Sequence, residues 1–164
     1  MYGNHWIDAE GLDDWDFSIE KVVGGFIWLA FSEEEPWKML CISADKSTVF
    51  DCKNGTVSQT ECEFDENERI ALCSDLRDDM LTISGQYGGA LPQTAPRGER
   101  IESVKRSVFE YGKDLVREEV TFIAKDGRHQ VIYEGYLPYI YGFSPDGNYF
   151  IFANDGGLTV LRRK

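Results

Sequence analysis

The segment Phe143 to Leu161 reads Phe-Ser-Pro-Asp-Gly-Asn-Tyr-Phe-Ile-Phe-Ala-Asn-Asp-Gly-Gly-Leu-Thr-Val-Leu. A Pro-Asp-Gly turn leads into aromatic and β-branched residues, and a second turn at Asn154 to Gly157 precedes a final apolar strand. This is hairpin chemistry: Gly and Asp accept the backbone angles of a tight turn, and branched or aromatic side chains suit a pleated surface. The segment specifies scaffold and names no reaction.

Looser copies of the pattern occur elsewhere. Ile42 to Phe50 places Asp45-Lys46 between two apolar runs, with Asn54-Gly55 following, and Ile123 to Tyr133 places Asp126-Gly127 in the same way. Each copy predicts a strand, an Asp-led turn and a strand. The Ser-Pro-Asp-Gly turn with its apolar strand resembles the hairpin inside the blades of β-propeller repeat proteins. That resemblance implies blade-like sheets. The copies are unevenly spaced, however, and the one Trp-Asp dipeptide, Trp15-Asp16, lies outside them.

Taken in order, the chain predicts an all-β fold of antiparallel meander sheets in one domain spanning 1–164: a sandwich, a barrel-like sheet or a small propeller-like assembly. Residues 1–16, with His5, Trp6, Asp8, Glu10, Asp13, Asp14 and Asp16, form an acidic lead-in expected to be less ordered. Phe17 to Phe31 predicts one or two strands punctuated by Gly24-Gly25. Further strands are expected over Trp37 to Ile42, Ser47 to Cys52, Thr56 to Cys62, Ile70 to Ser74 and Met80 to Ile83, with charged turns at Glu63 to Glu68 and Asp75 to Asp79. Ser84 to Gly98 is rich in Gly and Pro and is expected to be an exposed loop. Residues 101–120 fit either one helical face or a hairpin about Gly112; the hairpin is the expectation, with at most one short helix near 99–111.

Composition bounds the function. The chain has 164 residues, enough for one domain with its own core, and 42% hydrophobic content argues against disorder. Twenty-nine acidic against 17 basic residues give a formal net charge of -12, a field that opposes phosphate backbones and anionic lipid. Neither nucleic acid nor membrane is therefore an expected partner. The N-terminal residues lack a basic region followed by an apolar core, which predicts a cytoplasmic protein.

Cys41, Cys52, Cys62 and Cys73 include no Cys-x-x-Cys pair, and the histidines are His5 and His129 alone, so neither metal nor cofactor is expected. The thiols are expected to be reduced and to sit on successive strands of the meander.

No nucleophile motif, zinc motif or dinucleotide fingerprint is present, and a non-enzymatic protein-binding domain is the expectation. Its most concrete form is an acidic inhibitor or immunity-type protein that covers a basic toxin or nuclease. The expected contacts are Glu61, Glu63, Asp65, Glu66, Glu68, Asp75, Asp78, Asp79 and the loop tyrosine Tyr87. The alternatives are a hydrolase using paired carboxylates, whose members meet only in the fold, and a structural module that assembles into a homo-oligomer.

Overall fold

The computed structural model describes residues 5–164. Fifteen strands, numbered β1 to β15 in chain order, form four antiparallel sheets over these residues, with no helix among them. One sheet has the spatial order β1 (Trp15–Lys21), β15 (Leu158–Arg163), β14 (Tyr149–Ala153) and β13 (Ile140–Phe143). A second runs β5 (Thr56–Thr60), β4 (Ser47–Asp51), β3 (Lys38–Ser43), β2 (Phe26–Phe31) and β9 (Ser84–Gly85). Two three-stranded sheets complete the fold: β6 (Cys62–Asp65), β7 (Ile70–Cys73) and β8 (Leu81–Thr82), then β10 (Arg100–Glu110), β11 (Lys113–Ile123) and β12 (His129–Tyr136).

Side-chain alternation along the central strands stacks the sheets face to face. In β14, Tyr149, Ile151 and Ala153 enter a core shared with Phe26, Leu29, Met39 and Phe50 of the β2–β5 sheet. Phe150 and Phe152 point the other way, against Val120, Phe122 and Ile132 of the β10–β12 sheet. The β2–β5 sheet is likewise two-sided, since Trp28, Leu40 and Ile42 pack on Ala71, Cys73 and Leu81 of the β6–β8 sheet. The stacking order is therefore β10–β12, the β13–β15 sheet, β2–β5, then β6–β8. Strands covered on both faces need no polar alternation, which explains the unbroken apolar run of β14. Among the described residues no apolar cluster joins the two outer sheets, the contact that would close these layers into a propeller ring.

All three copies of the repeat are hairpins: β3–β4, β11–β12 and β13–β14. Chain ends meet in one sheet, where β1 pairs along β15 from Trp15 opposite Arg163 to Lys21 opposite Leu158.

Residues 101–120 form the expected hairpin, with no helix at 99–111: β10 pairs along its whole length with β11 about the Tyr111-Gly112 turn, where both residues have positive φ. Of the acidic lead-in, Ile7, Leu12 and Trp15 are buried in the core shared with the β10–β12 sheet, while 1–4 lie outside the described residues. Thr56 to Cys62 is not one strand, for the chain changes sheets at Glu61, and Glu63 to Asp65 belong to β6 rather than to a turn. With β5 intervening, Cys41, Cys62 and Cys73 lie on β3, β6 and β7, and Cys52 just follows β4.

Candidate functional site

A surface concavity of about 930 Å³ lies where the β4–β5 end of the inner sheet meets the β6–β7 hairpin. Its acidic wall is Glu61, Glu63, Asp78 and Asp79, with Arg77 the one basic residue of the lining. Ser47, Thr60, Cys62, Leu72, Cys73 and Leu76 supply the less charged part of the lining. Local sequence accounts for the wall. Asp65 accepts hydrogen bonds from the backbone N–H groups of Asn67 (2.9 Å) and Glu68 (3.1 Å), which turns β6 into β7 and sets Glu63 opposite Leu72.

The nine expected contacts divide by role. Glu61, Glu63, Asp78 and Asp79 come together around the concavity. Asp75 lies beside it and accepts from the Thr60 hydroxyl at 2.5 Å. Asp65 is occupied by its own turn, and Glu68 is an exposed residue of that turn. Glu66 and Tyr87 flank Trp28 instead: the indole Nε1–H donates to Glu66 at 3.4 Å, and the Tyr87 ring meets the indole edge-on at 6.2 Å. Tyr87 is nevertheless 70% exposed, so the loop tyrosine both packs on the sheet and faces solvent.

Asp78 has a second task. It accepts from the Ser32 hydroxyl and from the backbone N–H groups of Glu33 (2.8 Å) and Glu34 (3.3 Å), tying the β2–β3 turn to the concavity. Desolvation alone would raise its carboxyl, but these hydrogen bonds outweigh it and hold the group below the ordinary carboxylate range. Two other carboxylates shift the same way. In Glu99 desolvation is outweighed by Arg163 and backbone donors, and in Asp126 the Arg128 backbone N–H leads the lowering.

The lining residues that charge reading alone misses are Ser47, Thr60, Cys62 and Cys73. The two thiols are directly opposed in the β6–β7 ladder, and Ser47 and Thr60 are directly opposed in the β4–β5 ladder. Ser47 Oγ lies 3.1 Å from the Cys62 sulfur, and Thr60 Oγ1 lies 3.3 Å from that of Cys73. Hairpin symmetry about the Glu66-to-Arg69 turn was the available signal. Among the described residues, no group of three or more His, Cys, Asp or Glu side chains is placed to hold a metal ion, and no helix is long and apolar enough to cross a membrane.

No family model, curated protein or solved structure matches the chain.

Proposed function

We propose that the chain is a protein-binding domain that presents the acidic wall of the β6–β7 concavity to a basic protein, in the manner of an inhibitor or immunity-type protein covering a toxin or nuclease. The observation that carries this reading is the convergence of Glu61, Glu63, Asp78 and Asp79 on one concavity of about 930 Å³ in a chain with formal net charge -12. Four carboxylates around one recess focus a negative potential, which accelerates encounter with a cationic surface and penalises anionic competitors. Glu61 and Glu63 stand at the start of the β6–β7 hairpin and Asp78 is fixed by its bonds to the β2–β3 turn, so much of the wall is held in place before a partner arrives.

The test begins with capture from native-host lysate at low and moderate salt, followed by kinetics with the recovered basic protein. Neutralising Glu61→Gln, Glu63→Gln and Asp79→Asn together is expected to slow association by at least tenfold and flatten its salt dependence. An unchanged association rate and salt slope would remove the reading. Asp78 is spared because it also holds the β2–β3 turn.

A second reading, homo-oligomerisation, is favoured by β10. Among the described residues it is an edge strand covered only at its start, where the Ile101 N–H donates to the Gln93 carbonyl at 2.8 Å and Thr94 bridges Arg100. Beyond that point, Phe109 and the turn residue Tyr111 are 73% and 86% exposed. An exposed edge of this kind is a template for another strand. A solution mass that stays monomeric as concentration rises would exclude it.

A further inference from the structure

We propose that Cys62 and Cys73 form a reversible dithiol–disulfide pair in the wall of the concavity, closed by exchange with a low-molecular-weight disulfide such as oxidised glutathione. This inference rests on backbone register and does not depend on the partner-binding reading.

Register comes first. Cys62 and Cys73 are direct partners across β6 and β7. On the opposite side of β7, the Ile83 N–H donates to the Arg69 carbonyl at 3.0 Å, and β7 pairs with β8 through Ile70 opposite Thr82 and Ala71 opposite Leu81. Residues 69, 71 and 73 therefore direct their backbone groups toward β8, and 70 and 72 direct theirs toward β6. That parity makes Cys62–Cys73 a non-hydrogen-bonded pair, the kind whose α-carbons approach to about 4.5 Å. A disulfide spans α-carbons about 4.4–6.8 Å apart, so the backbone already stands at bridging distance.

The surroundings select these two thiols from the four. Cys41 and Cys52 are buried in the apolar core between the two central sheets, at positions that do not oppose each other across the β3–β4 ladder, and burial pushes both thiols up to about 12. Cys62 is partly exposed, and both it and Cys73 line the concavity, so a small reagent reaches this pair through solvent. Ser47 and Thr60 sit against the two sulfurs as a matching cross-strand pair, keeping the side chains abreast on one face.

The exchange balances in two steps. The Cys62 thiolate attacks one sulfur of the disulfide, forming a mixed disulfide and expelling one small thiolate. The Cys73 thiolate then attacks the Cys62 sulfur, closing the protein bridge and expelling the second. Two protein thiols are oxidised to one disulfide, one small disulfide is reduced to two thiols, and the protein's two protons pass to the leaving groups. Closure turns the sulfurs toward each other and away from Ser47 and Thr60, so the wall changes with its oxidation state.

The test equilibrates the reduced, full-length chain in graded mixtures of reduced and oxidised glutathione, quenches with acid, alkylates under denaturing conditions, and maps peptides by mass spectrometry. The expected result is a monomer lighter by two hydrogens, a peptide link between Cys62 and Cys73, alkylated Cys41 and Cys52, and reversal by dithiothreitol. In Cys73→Ser, the glutathione adduct is expected to accumulate on Cys62. A persistent wild-type adduct on Cys62 without a link, no oxidation across the series, or a link through Cys41 or Cys52 would each overturn the proposal.

Discussion

Arg163, near the end of β15, donates a hydrogen bond to the carboxylate of Glu99, at the entrance to β10, and the two side chains are only 6% and 2% exposed. Arg163 also donates to the Gly147 carbonyl at 2.8 Å and lies 4.6 Å from the centre of the Trp15 ring. One guanidinium thus joins the outer β10–β12 sheet, the Pro-Asp-Gly turn and the first strand. Removing one partner strands the other charge in a buried setting, and Arg163→Met is expected to cost roughly 3–5 kcal/mol in urea unfolding. Among the described residues Glu99 Oε1 and Arg163 Nε find no hydrogen-bond partner, so the pair is incompletely satisfied there. Replacing both residues by apolar ones is therefore expected to cost less than either single change.

The same pair sets an acid limit. Desolvation opposes ionisation of Glu99, but the Arg163 hydrogen bond and charge prevail and its folded value is lowered. A carboxylate with a lowered folded value contributes its full stabilisation above its unfolded value, about 4.3, and loses it as pH falls through the folded one. Denaturant midpoints of the wild type are expected to drop between neutrality and about pH 3 by more than those of Glu99→Gln, which lacks the titrating group. Equal drops would show that Glu99 is not linked to folding.

Much of the fold was legible because local chemistry and tertiary packing agree at the turns. Ser144-Pro145-Asp146-Gly147 forms its turn through its own atoms: the Ser144 hydroxyl donates to Asp146 at 2.7 Å, and the Asn148 N–H donates to the same carboxylate oxygen at 3.1 Å. Such bonds need no distant partner, so sequence announces them. The assignment of Cys62 and Glu63 to a different sheet from Thr60 was not legible, since period-two patterning is the same on either side of Glu61. Nor was the pairing of β1, whose partner β15 stands at the other end of the chain.

Two turns of similar sequence give a controlled comparison. Gly147 has φ +74°, and a β-carbon there would stand 2.5 Å from Pro96 Cδ and 3.1 Å from the Ala95 β-carbon. Gly127 has φ +89° but opens onto empty space. Gly127→Ala bears the backbone strain alone, about 1 kcal/mol, whereas Gly147→Ala bears strain and collision and is expected to cost about 1–2 kcal/mol more. Thermal unfolding of the two variants decides it, and equal losses would mean that Pro96 yields freely.

The stacked layers predict an uneven response to truncation. Phe150 is fully buried, with ring centres 5.5 Å from Phe143 and 5.8 Å from Phe122, so it bridges the β13–β15 and β10–β12 sheets. Phe150→Ala is expected to cost about 3–5 kcal/mol, the range for a large core cavity. Phe64, 42% exposed on β6, has little core to lose, and its alanine variant is expected to change stability by less than about 1 kcal/mol. Denaturant midpoints at constant slope separate these outcomes.

The acidic wall was legible as composition but not as architecture, and Asp78 shows why. Sequence presents it as one of several carboxylates between Asp75 and Asp79. The structure gives it the Ser32 hydroxyl and two backbone donors from the β2–β3 turn, while Asp79 beside it is exposed. Those donors come from a segment distant in the chain, where no local pattern points to Asp78. Asp78→Asn is expected to lower stability by about 1 kcal/mol, a modest figure because the partly exposed carboxylate is screened by solvent. Glu63→Gln and Asp79→Asn are expected to stay within about 0.5 kcal/mol of the wild type. Since Asp78 titrates below the ordinary carboxylate range, its share of stability is present above its unfolded value and lost as pH falls through the folded one. Urea unfolding of the three variants at neutral pH, repeated near pH 3, separates the roles. A loss in Asp78→Asn that shrinks at the lower pH marks a structural carboxylate, and equal stability of all three variants at neutral pH would show that the wall carries charge alone.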